Sequence, residues 1–306
     1  MLIATSHKVF VWESASAGAP RPIAGPTERK VLALAQRPAC RFVALDGHLL
    51  VDRDQREQTF DLGLDESIAS LVCLADGQVL GGTVGAHLYR LHVESGRAER
   101  IESFDELACR HGWYTPWGGP PAIRSLATSG RTVYADIHVG SIMRSEDDGD
   151  TWEQVAATLH EDVHQVVTSP AAPDHVYANT ANAVYISLDR GRSWSHRCRG
   201  ISARYGRAIA VDPSDPDCLL ASASQGPHGG DGRLYHSQDG GDHWTHVTAG
   251  FPPSCAGNID TFQVAFDRHG DAWAVVGDEL YCSRDRGQSW SVAWRAPAPI
   301  KQICCA

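Results

Sequence analysis

The chain has 306 residues, 42% hydrophobic and 21% charged, proportions that suit a folded globular protein rather than a disordered one. A formal net charge of −10 and a pI near 5.8 exclude nucleic acid and anionic membrane as main partners, because the broad basic footprint is missing. No apolar run reaches the roughly 18 residues of a membrane span. The start, Met1-Leu2-Ile3-Ala4-Thr5-Ser6-His7, has neither the basic nor the apolar region of a signal peptide, so a cytoplasmic location is expected. The nine cysteines are scattered with no C-x-x-C pair, which predicts free thiols in a reducing compartment rather than a zinc knuckle.

Short β-rich runs begin at 31–34, 42–45 and 49–51, with a tight Asp46-Gly47 turn between the last two. Runs at 68–74, 79–81, 88–93 and 98–101 follow, punctuated by Asp76-Gly77 and Ser95-Gly96. These make two strand sets, 30–62 and 68–104, and four more follow at 122–157, 163–198, 206–248 and 260–295. The last four sets share a motif. Ser145 to Trp152, Ser187 to Trp194, Ser237 to Trp244 and Ser283 to Trp290 all read S-x-D-x-G-x-[T/S/H]-W, starting 42, 50 and 46 residues apart. A period of that size marks an array of like supersecondary units. Within each copy the Asp carboxylate accepts turn N–H groups and Gly supplies positive φ. The Trp then carries a large apolar surface into the core.

This motif resembles the Asp-box, or BNR repeat, of sialidase-type β-propellers. Its structural residues are Asp147 and Trp152, Asp189 and Trp194, Asp239 and Trp244, and Asp285 and Trp290. The resemblance implies an all-β propeller with the motif on the outer turn between third and fourth strands, away from the ligand face. The strand at 300–304 and the runs at 1–4, 8–12 and 21–24 supply one more blade from the two chain ends. Closing the ring in this way removes exposed sheet edges. Seven blades in one domain is the expectation, with six or eight as the alternatives.

The candidate site lies on the face opposite the motif. Arg124, His164, Arg207, Gln263 and Lys301 hold equivalent positions on the innermost strands, where they would line the mouth of the channel. Converging cations suit a carboxylate, phosphate or sulfate, and a hydrated polar channel is the plainer reading. His138, His164 and His228 are metal candidates, with Asp136, Glu161 or Asp162 as a carboxylate partner. No cofactor is required, and a divalent metal is the alternative. Trp113, Tyr114 and Trp117 in one long loop offer a stacking wall for a sugar. The loop 225–232 around His228 is Gly-rich and reads as a flap or sharp turn. The loop 199–205 brings Arg204 and Tyr205 to the same face.

Sialidases use an arginine triad, a Tyr–Glu nucleophile pair and an Asp acid/base. Arg124 and Arg207 fit two of that triad and Tyr114 or Tyr205 the nucleophile, but Arg21-Pro22-Ile23 is not the usual Arg-Ile-Pro and no Tyr–Glu pair is visible. Catalysis is therefore not carried over, and His164, His138 and Tyr205 stand as the catalytic candidates. The expected function is binding of an anionic small molecule or sugar in a His/Arg-lined pocket, with hydrolase-like or lyase chemistry. A non-catalytic protein-interaction or assembly propeller is the alternative.

Overall fold

The computed structural model describes residues 1–13, 18–23 and 29–305. Its strands form seven four-stranded antiparallel sheets, the blades of a ring. Blade 1 covers residues 31–61, blade 2 68–100, blade 3 123–154, blade 4 163–196, blade 5 205–246 and blade 6 264–295. Blade 7 joins both ends of the chain: Ile300–Cys304 is its innermost strand, followed outward by Leu2–Thr5, Val9–Val11 and Arg21–Pro22. Leu2 pairs with Cys304 and Ile3 with Ile303, so the ladder closes the ring as expected. Of the expected outer run 21–24, Ala24 lies outside the described residues.

Helix is almost absent. One α-turn, Glu102–Asp105, and one 3-10 turn, Ala108–Gly112, connect blades 2 and 3 where the sequence suggested only loop. Their purpose is packing: Phe104 is fully buried and meets the Trp152 ring edge-on at 5.1 Å.

The core is divided. Seven clusters of buried side chains each span two neighbouring blades, from Phe42 with Leu71 across blades 1 and 2 to Ile3 with Trp273 across blades 7 and 6. Each motif tryptophan serves the interface with the preceding blade. Trp152 joins the cluster of blades 2 and 3, Trp194 that of 3 and 4, Trp244 that of 4 and 5, and Trp290 that of 5 and 6. The turn that places them is built as its residue types dictate. Thr151 donates from its amide (2.8 Å) and hydroxyl (2.6 Å) to the Asp147 carboxylate, and the Gly149 amide donates to Ser145 Oγ at 2.9 Å. Asp189 and Asp285 repeat the Asp147 arrangement with Ser193 and Ser289.

The innermost strands carry one repeated irregularity. In five blades, where the innermost strand pairs with the second, the register slips between Val31 and Ala33, Ile68 and Ser70, Ile123 and Leu126, Val163 and Gln165, and Gly206 and Ile209, whereas blade 6 pairs from Val264 to Phe266 without a slip. Blade 7 shows the same slip, passing from Gln302 to Ile300. A bulge re-aims the residue that it leaves out of the ladder. Leu32, Ala69, Arg124, His164, Arg207 and Lys301 fall at or beside these slips, at the end of the innermost strands opposite the motif turns, with Lys301 exposed and His164 fully buried.

Candidate functional site

Three of those bulged residues gather in one sector, on blades 3 to 5. Arg124 Nη2 donates to His138 Nε2 at 2.7 Å, His138 coming from the loop that follows the second strand of blade 3. Asp162, one residue before the innermost strand of blade 4, sits among them. Its Oδ1 lies 3.1 Å from His164 Nε2, 3.8 Å from His138 Nε2 and 4.0 Å from Arg124 Nη1. The Tyr205 ring rests on His164 at 4.8 Å, and the Arg207 guanidinium covers the Tyr205 ring at 5.2 Å. Arg207 Nε faces Asp260 Oδ1 at 3.5 Å. Outside this group the Trp117 ring leans on His138 at 4.8 Å.

The supporting shell fixes these positions. His164 Nδ1 donates to the Gly206 carbonyl, and Thr261 Oγ1 donates to the His164 carbonyl at 2.9 Å. Asp136 is fully buried and accepts from the Ser125 hydroxyl, while Ser125 Oγ accepts from the Val166 amide at 2.8 Å, which locks blade 3 to blade 4.

Four polar atoms of the sector are sealed from solvent with no hydrogen-bond partner: Arg124 Nη1, Asp162 Oδ1, His164 Nε2 and Arg207 Nε. The close approach of Asp162 to His164 is an ion-pair distance without the alignment of a hydrogen bond. Buried polar atoms are nearly always paired, so four orphans in one place call for a partner. Burial also lowers the Arg124 and His164 pKa values, and burial together with the Arg124 charge takes His138 down to about 4. Burial alone would raise Asp162, but its contact with His164 and the Arg124 charge carry it below the ordinary carboxylate value. Burial takes Asp136 up to about 7 against the Ser125 and Arg124 contacts, yet the group has no access to a ligand.

The remaining expected residues go elsewhere. Lys301 is exposed on blade 7 beside Lys30, away from Arg124 and Arg207 on blades 3 and 5, so the expected triple cation is a pair. Gln263 is tied down, with Nε2 donating to the Ile300 carbonyl at 3.0 Å and Oε1 accepting from the Asp260 amide at 2.7 Å. Trp113 is not part of a wall: it packs on Phe104, and Arg110 covers its ring at 4.7 Å. Tyr114 and Trp117 are 50% and 65% exposed, Trp117 with its ring against His138. His228 is exposed on a loop folded against residues 255–258, where the Gly230 amide meets the Ala256 carbonyl at 3.0 Å. It does not join His138 and His164. Among the described residues no three His, Cys, Asp or Glu side chains could hold a metal ion. The physical reason is plain at His138, whose ring lone pair is already occupied by Arg124. Burial raises the Tyr205 phenol, which keeps it protonated and disfavours it as a nucleophile. Asp260 escaped the sequence reading, since one Asp in a loop of Asn, Asp and Thr gives no signal before the ring is closed.

Fold and site together define a seven-bladed β-propeller with a mixed cationic and anionic mouth. A family model described as Sortilin-Vps10 (sortilin, neurotensin receptor 3) matches residues 140–256. The oligoxyloglucan-reducing end-specific xyloglucanase of Emericella nidulans is 27% identical over 187 residues, 53% of this chain and 22% of that protein. Among solved structures, the GH74 xyloglucanase from Xanthomonas campestris superposes with a TM-score of 0.76 at 18% identity, over 96% of this chain and 52% of that one. A structure of YCF48 bound to D1 peptide gives a TM-score of 0.60 at 16% identity, over 88% of this chain and 87% of that one. The chain thus matches about a fifth of the fungal enzyme and about half of the bacterial one.

Proposed function

We propose that the protein is a carbohydrate-acting propeller. Its blade 3–5 sector takes an uncharged polyhydroxylated ligand, a segment of a glycan such as xyloglucan. The observation that carries this reading is the set of four orphaned atoms. Arg124 Nη1 and Arg207 Nε need acceptors and Asp162 Oδ1 needs a donor. Hydroxyl groups do both at once, and because these atoms are sealed in the structure, a glycan reaches them through bridging water. An anion does not suit as well, because Asp162 and Asp260 already oppose the two arginine charges. Trp117 and Tyr114, both exposed, give the outer stacking surface. The resemblance to xyloglucanases supports the same ligand class. The four repeat turns, on this reading, are Asp-boxes that serve the scaffold alone.

Glycoside hydrolysis is the reaction class. In most families it requires two carboxyl groups flanking the scissile bond. Asp162 and Asp260 are the pair that the sector offers. Calorimetry with xyloglucan oligosaccharides, against citrate and sulfate, tests the ligand, and release of reducing ends tests the reaction. Arg207→Ala and Trp117→Ala should weaken oligosaccharide binding about tenfold or more, the loss of one good contact, with Arg56→Ala as the exposed control. Tighter binding of citrate or sulfate than of oligosaccharide would sink the reading.

A second reading, an interaction propeller, is favoured by one observation. Tyr114 and Trp117 are exposed aromatics on one loop, the residue type that anchors protein interfaces. A partner lost on Tyr114→Ala and Trp117→Ala, with no oligosaccharide bound by the unmodified protein, selects it.

A further inference from the structure

The chain contains three lysines, Lys8, Lys30 and Lys301, among its 27 basic residues. All three stand on one side of the mouth, away from the blade 3–5 sector. Lys301 is the bulged residue of blade 7, and Lys30 immediately precedes the first strand of blade 1. Lys8 closes the turn between the second and third strands of blade 7, where its amide donates to Thr5 Oγ1 at 3.1 Å. The Val31 amide donates to the Ser6 carbonyl at 2.9 Å and ties that turn to the Lys30 segment. The three side chains are exposed, and among the described residues no carboxylate lies within ion-pair distance of any of them. Many arginines behave otherwise: Arg41, Arg53, Arg90 and Arg144, for example, hold carboxylates.

Between Lys30 and Lys301 opens a cavity of about 440 Å³. Leu32, Ala69, Val84 and Phe262 give its wall an apolar stretch, and Ser6, Ser67, Thr261 and Gln302 add polar lining. Val84 is 40% exposed, and Phe262 is held at φ +63°, a conformation uncommon for a bulky residue and typical of ligand clamps. A cavity with an apolar stretch and a few convergent charges at its rim is the form of a small-molecule site. Among the described residues these ammonium groups have no carboxylate partner, on a protein of net charge −10, which leaves room for an anionic ligand. A long polyanion needs a stripe of cations, which two lysines at one opening do not supply.

We propose that this cavity binds a small amphiphilic carboxylate. Its apolar body lies against Leu32, Ala69, Val84 and Phe262, and its carboxylate sits between Lys30 and Lys301. This second site does not rest on the carbohydrate reading and is measured without any sugar.

The probes are octanoate and uncharged 1-octanol, titrated calorimetrically into the whole protein. Octanoate should bind, and 1-octanol should bind about tenfold more weakly or worse, the difference expected for a charge-assisted contact. A K30Q/K301Q double variant should lose about tenfold for octanoate and nothing for 1-octanol, while K30R/K301R retains octanoate. Val84→Asp should weaken both probes. Unchanged melting temperatures confirm that these exposed substitutions leave the fold intact. The proposal is overturned if octanoate does not bind, if K30Q/K301Q binds it as tightly as the unmodified protein, or if a hexa-aspartate peptide binds more tightly than octanoate.

Discussion

Arg144 Nη1 in blade 3 donates to the carbonyl oxygen of Arg190 in blade 4 at 2.7 Å. Arg190 is the fourth residue of its motif turn, held at φ +61°, and its carbonyl points back at the preceding blade. The same carbonyl is met from the preceding blade in every copy. Arg90 reaches Asp148 at 3.3 Å, Arg197 reaches Gly240 at 2.8 Å, and the Cys218 thiol reaches Arg286 at 3.6 Å. The motif therefore joins blades through a hydrogen bond as well as through its tryptophan.

Arg144→Met should leave the Arg190 carbonyl short of its donor and the Glu153 carboxylate short of its partner. A stability loss of about 1–3 kcal/mol is expected in denaturant titration, the usual net worth of hydrogen bonds made by a charged donor. Arg192→Ala, whose side chain is 55% exposed, should cost almost nothing. Equal effects of the two would refute the inter-blade role.

Trp290→Ala should cost about 3–5 kcal/mol, because a buried indole leaves a cavity that neighbours fill only in part. Trp290 also donates to the Gly287 carbonyl at 3.0 Å. Trp117→Ala, on the exposed loop, should leave the melting temperature unchanged. A Trp290→Ala protein that melts with the unmodified one would contradict the core assignment.

The motif aspartates should make the fold acid-sensitive. Burial by itself would raise Asp147 and Asp285, but hydrogen bonds from Thr151 and Ser145, and from Ser283 and Ser289, take both down to about 2. These groups bind protons less readily folded than unfolded. The stability they add is complete above the unfolded carboxylate value of about 3.9 and is lost as pH falls toward about 2. Asp189 and Asp239 shift in the same direction. Denaturation midpoints measured from pH 6 downward should fall in that window, and Asp285→Asn should flatten the fall. A midpoint independent of acid in the unmodified protein would contradict it.

His138 should stay neutral far below its ordinary pKa. Burial, then Arg124, takes it to about 4, whereas the unfolded ring titrates near about 6.5. The unfolded chain takes up the proton first, so the stability tied to the neutral ring is full above about pH 6.5 and is lost as pH falls through about 4. His138→Gln keeps an acceptor for Arg124 and should remove this slope. Ring resonances followed by NMR should show a midpoint near 4, and a midpoint near 6.5 would mean that Arg124 does not hold the ring.

Much of the fold was legible because the turn chemistry is local. Ser, Asp, Gly and Trp within eight residues specify their own hydrogen bonds, and four copies fix the period. The inner-strand alignment was legible too, since Arg124, His164 and Arg207 each follow or lie within a short apolar run. The site itself was only half legible. Asp162 was legible only as one of three carboxylates beside the histidines and Asp260 not at all, because neither lies on a strand and only the closed ring brings them to Arg124 and Arg207. Lys301 reads like Arg124 in alignment but stands across the opening from it, because equivalence in sequence says nothing of angular distance round a ring. The helical turn that buries Phe104 gave no periodic signal in four residues.

The bulges at the start of the innermost strands have an evolutionary consequence. A residue left out of the ladder contributes no backbone pairing that its side chain could upset. Leucine, alanine, arginine, histidine and lysine all occupy that slot in this one chain without altering the blade beneath. The opening is thus assembled from separately exchangeable letters, and a propeller of this design can change what it recognises one blade at a time while its scaffold stays the same.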